Sequence, residues 1–468
     1  MTLGNKRIAS IDILRGITIA GMILCANIGY YSNLPAWMFH AQTPPPTYAF
    51  NPDVPGITWV DLVFPFFLFA MGAAFPFALR RRMERGGESR LSIAGGLVKR
   101  WLILTMFALI LGNAYVAGGT SRSGWQVQIF NVVLWAALFL SLVRVNVSKT
   151  AVGWKKYIGT AMNAAGVAML AALAAVYTGW FDLTLSRWSS DIIIMILAVM
   201  AICGGAIWML TKDNIRLRWL AIFLIAAFKA LDSYAPAALD FVPSCAAVSW
   251  FFSWDWLQYL LIVLPGSIVG DMILNHSRSG ESLNVDTKGV AAGGLAFAAV
   301  IVQLWGLFTR NVIADFCISA VLSASFLALT WKNKNVYSRI AYIGFVLMLA
   351  GIALDPVDGG ITKDYCNLSY VFTTGGMAAL MTSVLLMLEM RFGVKCSFVA
   401  GVGQNPMLAY TVTSFLIGPV LTMTGVLPAL YSLSAGSQFW GVAQGFLITF
   451  AMMAVTYAFT KLKLFWRS

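Results

Sequence analysis

The chain has 468 residues, 59% hydrophobic and 11% charged, with a formal net charge of +13 and a mean hydropathy of +0.78. Soluble domains carry about 25% charged residues, so this composition excludes a soluble globular protein and requires a polytopic membrane protein. The basic excess does not indicate nucleic acid, because Lys and Arg fall in short clusters between apolar runs, the pattern of cytoplasmic loops.

The first apolar run, near 9–29, follows Lys6 and Arg7. It differs from a signal peptide because Asp12 and Arg15 interrupt it and no small-x-small site follows Cys25. An uncleaved first spanning helix is expected. Asp12 and Arg15 are three residues apart and share a helix face, either as a structural ion pair or as the wall of a cytoplasm-facing polar cavity. Asn27 lies fifteen residues beyond Asp12, about 22 Å along a helix axis.

Residues 30–57 contain no Lys or Arg but hold Pro44, Pro45, Pro46, Pro52 and Pro55. Prolines restrict the backbone, and a loop this long without secondary structure is functional or disordered. Its aromatic residues favour an ordered loop folded back on the helices. It carries His40, one of two histidines; the other, His276, falls in a basic loop. A lone loop histidine is most often ordinary surface. If the chemistry needs an imidazole on the outer side, His40 is the candidate. The next run, near 58–79, opens on Asp61, which reads equally as a helix cap or as a functional carboxylate. Asn27, His40 and Asp61 are expected at one outer rim.

Further runs lie near 93–116, 126–143, 157–178, 191–211, 217–236, 255–274, 289–308, 312–331, 340–355, 367–389, 398–424 and 438–459. This predicts an all-α bundle of about fourteen spans. Lys229 and Asp232 fall three apart in one run. Pro265 and Gly266 in "LPGSIVG" are expected to loosen the helix that carries Asp271, and Gln404, Asn405 and Pro406 in "GVGQNPMLAY" predict unwound backbone. The six cysteines form no CxxC pair and no metal-ligand spacing, so no metal is expected. Cys245 and Cys366 are the two placed outside, where they could pair.

With the N-terminus inside, 26 of the 32 Lys and Arg fall in loops on one side. The opposite loops hold Arg122, Arg187, Arg310 and Lys363, while Arg15 and Lys229 lie within helices. This bias predicts cytoplasmic termini and an even helix number.

"IDILRGITIAGMIL", Asn27, the His40 loop and "WVDLVFPFFLFAMG" together resemble the heparan-α-glucosaminide N-acetyltransferase family, transmembrane enzymes with bacterial relatives. The matching positions are Asp12, Arg15, Gly16, Asn27, His40, Asp61, Pro65 and Gly72. Weaker matches are "GWQVQIFNVVLWAAL", "LIVLPGSIVGDMI", "ITKDYCNLSYVFTTGG" with Lys363, Ser369, Tyr370 and Gly376, and "GQNPMLAY" with Asn405, Pro406 and Tyr410. A proline-rich insertion separates His40 from Gly56 and Trp59, where family members place a short Trp-Asn-Gly turn.

The resemblance implies one transmembrane acyltransferase domain over 1–468, with a family-like core at 8–145, 255–275 and 340–460 and extra helices within 150–335. It implies acetyl transfer from cytoplasmic acetyl-CoA to an extracytoplasmic amino sugar or glycan terminus, in a bacterial inner membrane. His40 is the expected base or acetyl carrier, Asp61 its orienting carboxylate and Asn27 an oxyanion donor. Asp12, Arg15, Arg80, Arg81, Arg82, Lys99 and Arg100 are expected along the acetyl-CoA path, and Lys363, Tyr370 and Asn405 at the acceptor. The expected partners are acetyl-CoA, the acceptor glycan and the lipid bilayer, with a homodimer allowed and no nucleic acid. An imidazole base predicts activity that falls on acidification. An O-acyltransferase of envelope glycans and a secondary transporter are the competing readings.

Overall fold

A computed structural model describes residues 8–29, 33–85, 89–118, 124–145, 157–177, 190–239, 252–279, 285–332 and 335–466. The chain is an all-α polytopic membrane protein. Among the described residues, 13 helices are long and apolar enough to cross a membrane. A further helix, α8 (Ile215–Tyr234), has 20 residues but carries Arg216, Arg218, Lys229 and Asp232. About fourteen spans were expected; the described residues give 13, because these charges set α8 apart from the apolar spans. Cys245, Arg122, Arg187, Lys149, Lys155 and Lys156 lie outside the described residues.

Two compact units divide the chain: 1–14 with 35–101 and 196–396, and 15–34 with 102–195 and 397–468. In the first, α2 (Val63–Phe75) is entered through a 3-10 turn (Trp59–Leu62) and leaves through a π turn (Pro76–Arg80) into α3 (Arg81–Arg85). Its neighbour is α10 (Leu260–Ser279), preceded by the short α9 (Trp254–Leu257). Lipid tails are as apolar as leucine, so spanning helices associate by close packing rather than by the hydrophobic effect. Glycines permit that approach: a Cβ on Gly72 would fall 2.0 Å from Val263 O, and one on Gly266 would fall 2.2 Å from Phe69 O. The expectation that Pro265 and Gly266 loosen this helix is corrected. The helix runs through Pro265 unbroken, and Gly266 is the contact point with α2.

The same unit holds α11 (Thr287–Phe308), α12 (Val312–Thr330), α13 (Val336–Leu354) and α14 (Leu368–Phe392). Helix α14 is the most buried of these and α12 the most exposed. Arg218, counted above among the loop cations, lies inside α8 and is 1% exposed. Its Nη1 meets Asp271 Oδ2 at 2.6 Å, and Trp208 Nε1 donates to the same oxygen at 3.1 Å. A buried charge persists only when paired in this way.

The second unit contains most of α1 (Ala9–Asn27), the outer part of α4 (Arg90–Gly118), and α5 (Trp125–Leu142) packed on α6 (Ile158–Tyr177). The run expected at 398–424 is not one helix. It breaks at Gln404–Asn405 into α15 (Ser397–Gly403) and a continuous span over Pro406–Met423, made of α16 (Pro406–Val412), a π turn (Thr413–Ile417) and α17 (Gly418–Met423), followed by α18 (Val426–Ala435). Pro406 accounts for the break and Pro419 for the π turn before it, since proline supplies no N–H to the helix ladder. The long α19 (Gln438–Lys461) then leads to a two-stranded ribbon, β1 (Val143–Val145) with β2 (Leu464–Trp466), antiparallel with Val143 opposite Trp466.

Candidate active site

The site grows from the start of the second span. Thr58 and Asp61 form a capping box: Asp61 Oδ2 accepts from Thr58 N at 3.0 Å, and Thr58 Oγ1 accepts from Val60 N at 3.2 Å. Thr58 Oγ1 also donates to Phe39 O at 2.7 Å, fixing the residue before His40. The other oxygen of Asp61 faces the loop, where His40 Nδ1 lies 2.6 Å from Asp61 Oδ1. The Asp61 side chain is fully buried, whereas that of His40 is 34% exposed. One oxygen of Asp61 thus caps the helix, and the other contacts His40.

The loop around His40 is ordered by its own polar groups. Gln42 Nε2 donates to Val54 O at 3.0 Å, and Asn51 N donates to Gln42 O at 2.8 Å. Phe39 packs edge-on against Tyr48, with ring centroids 5.0 Å apart. Gly56, at φ +125°, allows its N–H to reach Ile361 O at 2.8 Å.

The facing segment, between α13 and α14, is equally fixed. Arg310 grips Asp355 through two bonds of 2.9 and 2.8 Å, and Asp355 Oδ2 accepts from Ile361 N at 2.7 Å. Asn367 caps α14 by accepting from Tyr370 N and donates to Gly360 O at 2.8 Å. These bonds bring Lys363 to the histidine: its Nζ lies 3.1 Å from His40 Nδ1 and 3.6 Å from Asp61 Oδ1. One ring nitrogen cannot donate to Asp61 and accept from Lys363 at once. The shorter contact, to a buried carboxylate, places the proton on Nδ1. In that arrangement Lys363 Nζ lies beside the Asp61 carboxylate, and Nε2 is the ring nitrogen not engaged by Asp61.

Tyr370, expected at the acceptor, is fully buried, and its hydroxyl donates to Asp61 O at 2.9 Å, so it anchors the carboxylate's backbone. Nearby, Tyr365 donates its hydroxyl to Asp53 Oδ1 at 2.7 Å, which raises the phenol above its ordinary value and ties the segment to the loop. Burial pushes the Cys366 thiol up to about 12, so it is no thiolate nucleophile at neutral pH.

The other expected residues make contacts of their own. Asn27 belongs to the second unit, where its Nδ2 donates to Ile23 O at 2.7 Å. Arg15, in the same unit, donates to Gly403 O at 3.3 Å. Asn405 Nδ2 donates to Leu464 O and its Oδ1 accepts from Trp466 N, at 2.9 and 3.0 Å, so both ends of its amide hold β2. In the first unit, Asp12 is buried near the start of α1, whose first N–H groups are capped by Glu389. Arg81 and Lys99 are exposed, Arg82 and Arg100 are half-buried, and Arg80 pairs with Glu84 at 3.0 Å. Glu84 also receives both arms of Arg278. Sequence reasoning missed Thr58 and the Arg310–Asp355 clamp. The Thr-x-x-Asp spacing gave a capping signal for the first; nothing local marks the second.

The geometry defines a polytopic helical membrane protein with a His–Asp–Lys cluster at the head of a buried span. A family described as "Domain of unknown function (DUF5009)" matches residues 7–273, more than half of the chain, and the chain belongs to that family. No curated protein matches it.

Proposed function

We propose that the protein is a membrane-embedded acetyltransferase that moves an acetyl group from cytoplasmic acetyl-CoA to an amino sugar or glycan terminus on the other side of a bacterial inner membrane. The observation that supports this reading is the buried Asp61 aligned on Nδ1 of a half-exposed His40. This is the arrangement in which a carboxylate selects the tautomer of a general-base histidine. The resemblance of the first two spans to transmembrane acetyltransferases supplies the reaction class.

In this reading His40 Nε2 takes a proton from the acceptor amine as its nitrogen attacks the thioester carbonyl. The C–N bond forms, the C–S bond breaks, and the proton passes to the departing CoA thiolate. Asp61 stabilises the imidazolium in between. The cations at the far end of the second and third spans, Arg80, Arg81, Arg82, Lys99 and Arg100, would meet the CoA phosphates.

The experiment is transfer of labelled acetyl from acetyl-CoA to glucosamine or a glucosaminide by the purified protein in liposomes. Wild type is expected to form acetylated product, and His40→Ala to lose roughly a hundred- to ten-thousand-fold in rate, the range of general-base catalysis. Substrate uptake without any acetylated product would overturn the enzyme reading in favour of a transporter. Equal turnover by His40→Ala would overturn the site.

A further inference from the structure

We propose that Asp315 is a proton-binding site, a carboxylic acid held neutral between α11 and α12 on the same side of the membrane as His40. Asp315, Gln303 and Ser319 are all wholly buried, at 0% exposure. Gln303 Nε2 donates to Asp315 Oδ1 at 2.7 Å and to Ser319 Oγ at 2.8 Å. That leaves two buried oxygens without a partner, Asp315 Oδ2 and Gln303 Oε1. They belong to the two groups already joined, and their terminal torsions are soft. A single proton on Asp315, donated to Gln303 Oε1, gives both a partner.

The charged surroundings favour the acid over the anion. Among the described residues no Lys or Arg forms an ion pair with Asp315. Gln303 and Ser319 are neutral. The charge acting on Asp315 from the end of α13 is that of Asp355, which is negative. Arg310, on the α11–α12 turn, is committed to Asp355 through both arms. An unpaired anion in a spanning helix is the most expensive state available to this side chain.

The proton has a structural reach. The α11–α12 turn that it steadies carries Arg310, which fixes Asp355 and through it the backbone of Ile361, two residues before Lys363. Leu307 O, at the end of α11, lies 3.0 Å from where a Cβ on Gly56 would stand, against the loop of His40. Loss of the proton puts a second negative charge beside Asp355 and loosens the support of both segments. The sign is therefore fixed: the stabilised state carries the proton, and stability falls as the pH rises through its loss.

Infrared spectra and thermal unfolding of the full chain in nanodiscs test this without reference to any transferase activity. Near pH 6, about two units above the ordinary aspartate range, wild type is expected to show a protonated-carboxyl C=O band that Asp315→Asn lacks. Between about pH 6 and about pH 9, wild type is expected to lose roughly 3 °C or more of Tm relative to Asp315→Asn. An unchanged carboxyl band in Asp315→Asn, or Tm values that run parallel at every pH, would overturn the proposal. Should Asp315→Asn fail to accumulate, Gln303→Met removes the hydrogen-bond partner but keeps the acid. The carboxyl band is then expected to shift, and an unshifted band overturns the assignment.

Discussion

At the scale of single residues, Asp61 explains why the motif around it is ambiguous on paper. Spacing offers a choice between cap and catalytic partner, because both need a carboxylate at the head of a helix. In three dimensions the two are compatible, since one oxygen caps the helix and the other contacts His40. Lys363 raises the opposite problem. Its place in the chain suggests an acceptor contact, yet its ammonium sits 3.6 Å from Asp61 Oδ1, against the pair that performs the proposed proton transfer. The two roles separate kinetically. If Lys363 balances the Asp61 charge, Lys363→Met lowers kcat roughly tenfold, the rate equivalent of about 1.4 kcal/mol, with KM little changed, and Lys363→Arg restores most of it. A rise in KM at constant kcat identifies an acceptor contact instead. His40 and Asp61 were legible because they lie on adjoining elements and one is a rare residue. Lys363 stood 323 residues from His40, and no local pattern reports such a distance.

At the scale of elements, the position of Asp61 depends on how α2 meets α10. Gly72 and Gly266 bring the two backbones into contact, and a Cβ at Gly72 would lie 2.0 Å from Val263 O, with Ser267 N at 3.1 Å. Those neighbours are backbone atoms of a helix and cannot swing aside. Gly72→Ala is therefore expected to push the helices apart, lower Tm by roughly 3 °C or more, and reduce the proposed acetyl transfer because Asp61 moves with α2. Wild-type Tm and rate in Gly72→Ala would show that the contact is dispensable. The small residues themselves were visible in the sequence. Their meaning was not, since Pro265 beside Gly266 reads as a helix breaker, whereas the helix runs on through Pro265 and Gly266 is its contact with α2. The break at Asn405 was legible for the converse reason. Gln404, Asn405 and Pro406 interrupt an apolar run with two amides and a missing donor, and β2 pairs with both ends of the Asn405 side-chain amide while Gly403 O accepts from Arg15.

At the scale of the whole molecule, charge is the feature that reads most directly, because the positive-inside bias acts on the chain as it inserts and needs no knowledge of packing. The bias predicts the His40 loop outside and the cations of α3 and α4 inside. In that orientation the proposed transfer from cytoplasmic acetyl-CoA to an outer acceptor would be vectorial rather than local. It is tested by single cysteines in a cysteine-free background. Phe50 is 61% exposed on the His40 loop, and Arg81 is exposed at the far end of the second span. Phe50→Cys is expected to react with a membrane-impermeant maleimide in right-side-out vesicles, and Arg81→Cys only after the vesicles are opened. The two sites lie at opposite ends of one span, so a correct topology requires opposite behaviour from them. Labelling of Arg81→Cys from outside, with Phe50→Cys protected, would invert the topology and put His40 on the same side as acetyl-CoA. The membrane would then no longer separate the proposed donor from the proposed base, and transfer across it would lose its physical basis even if the His40–Asp61 pair proved catalytic.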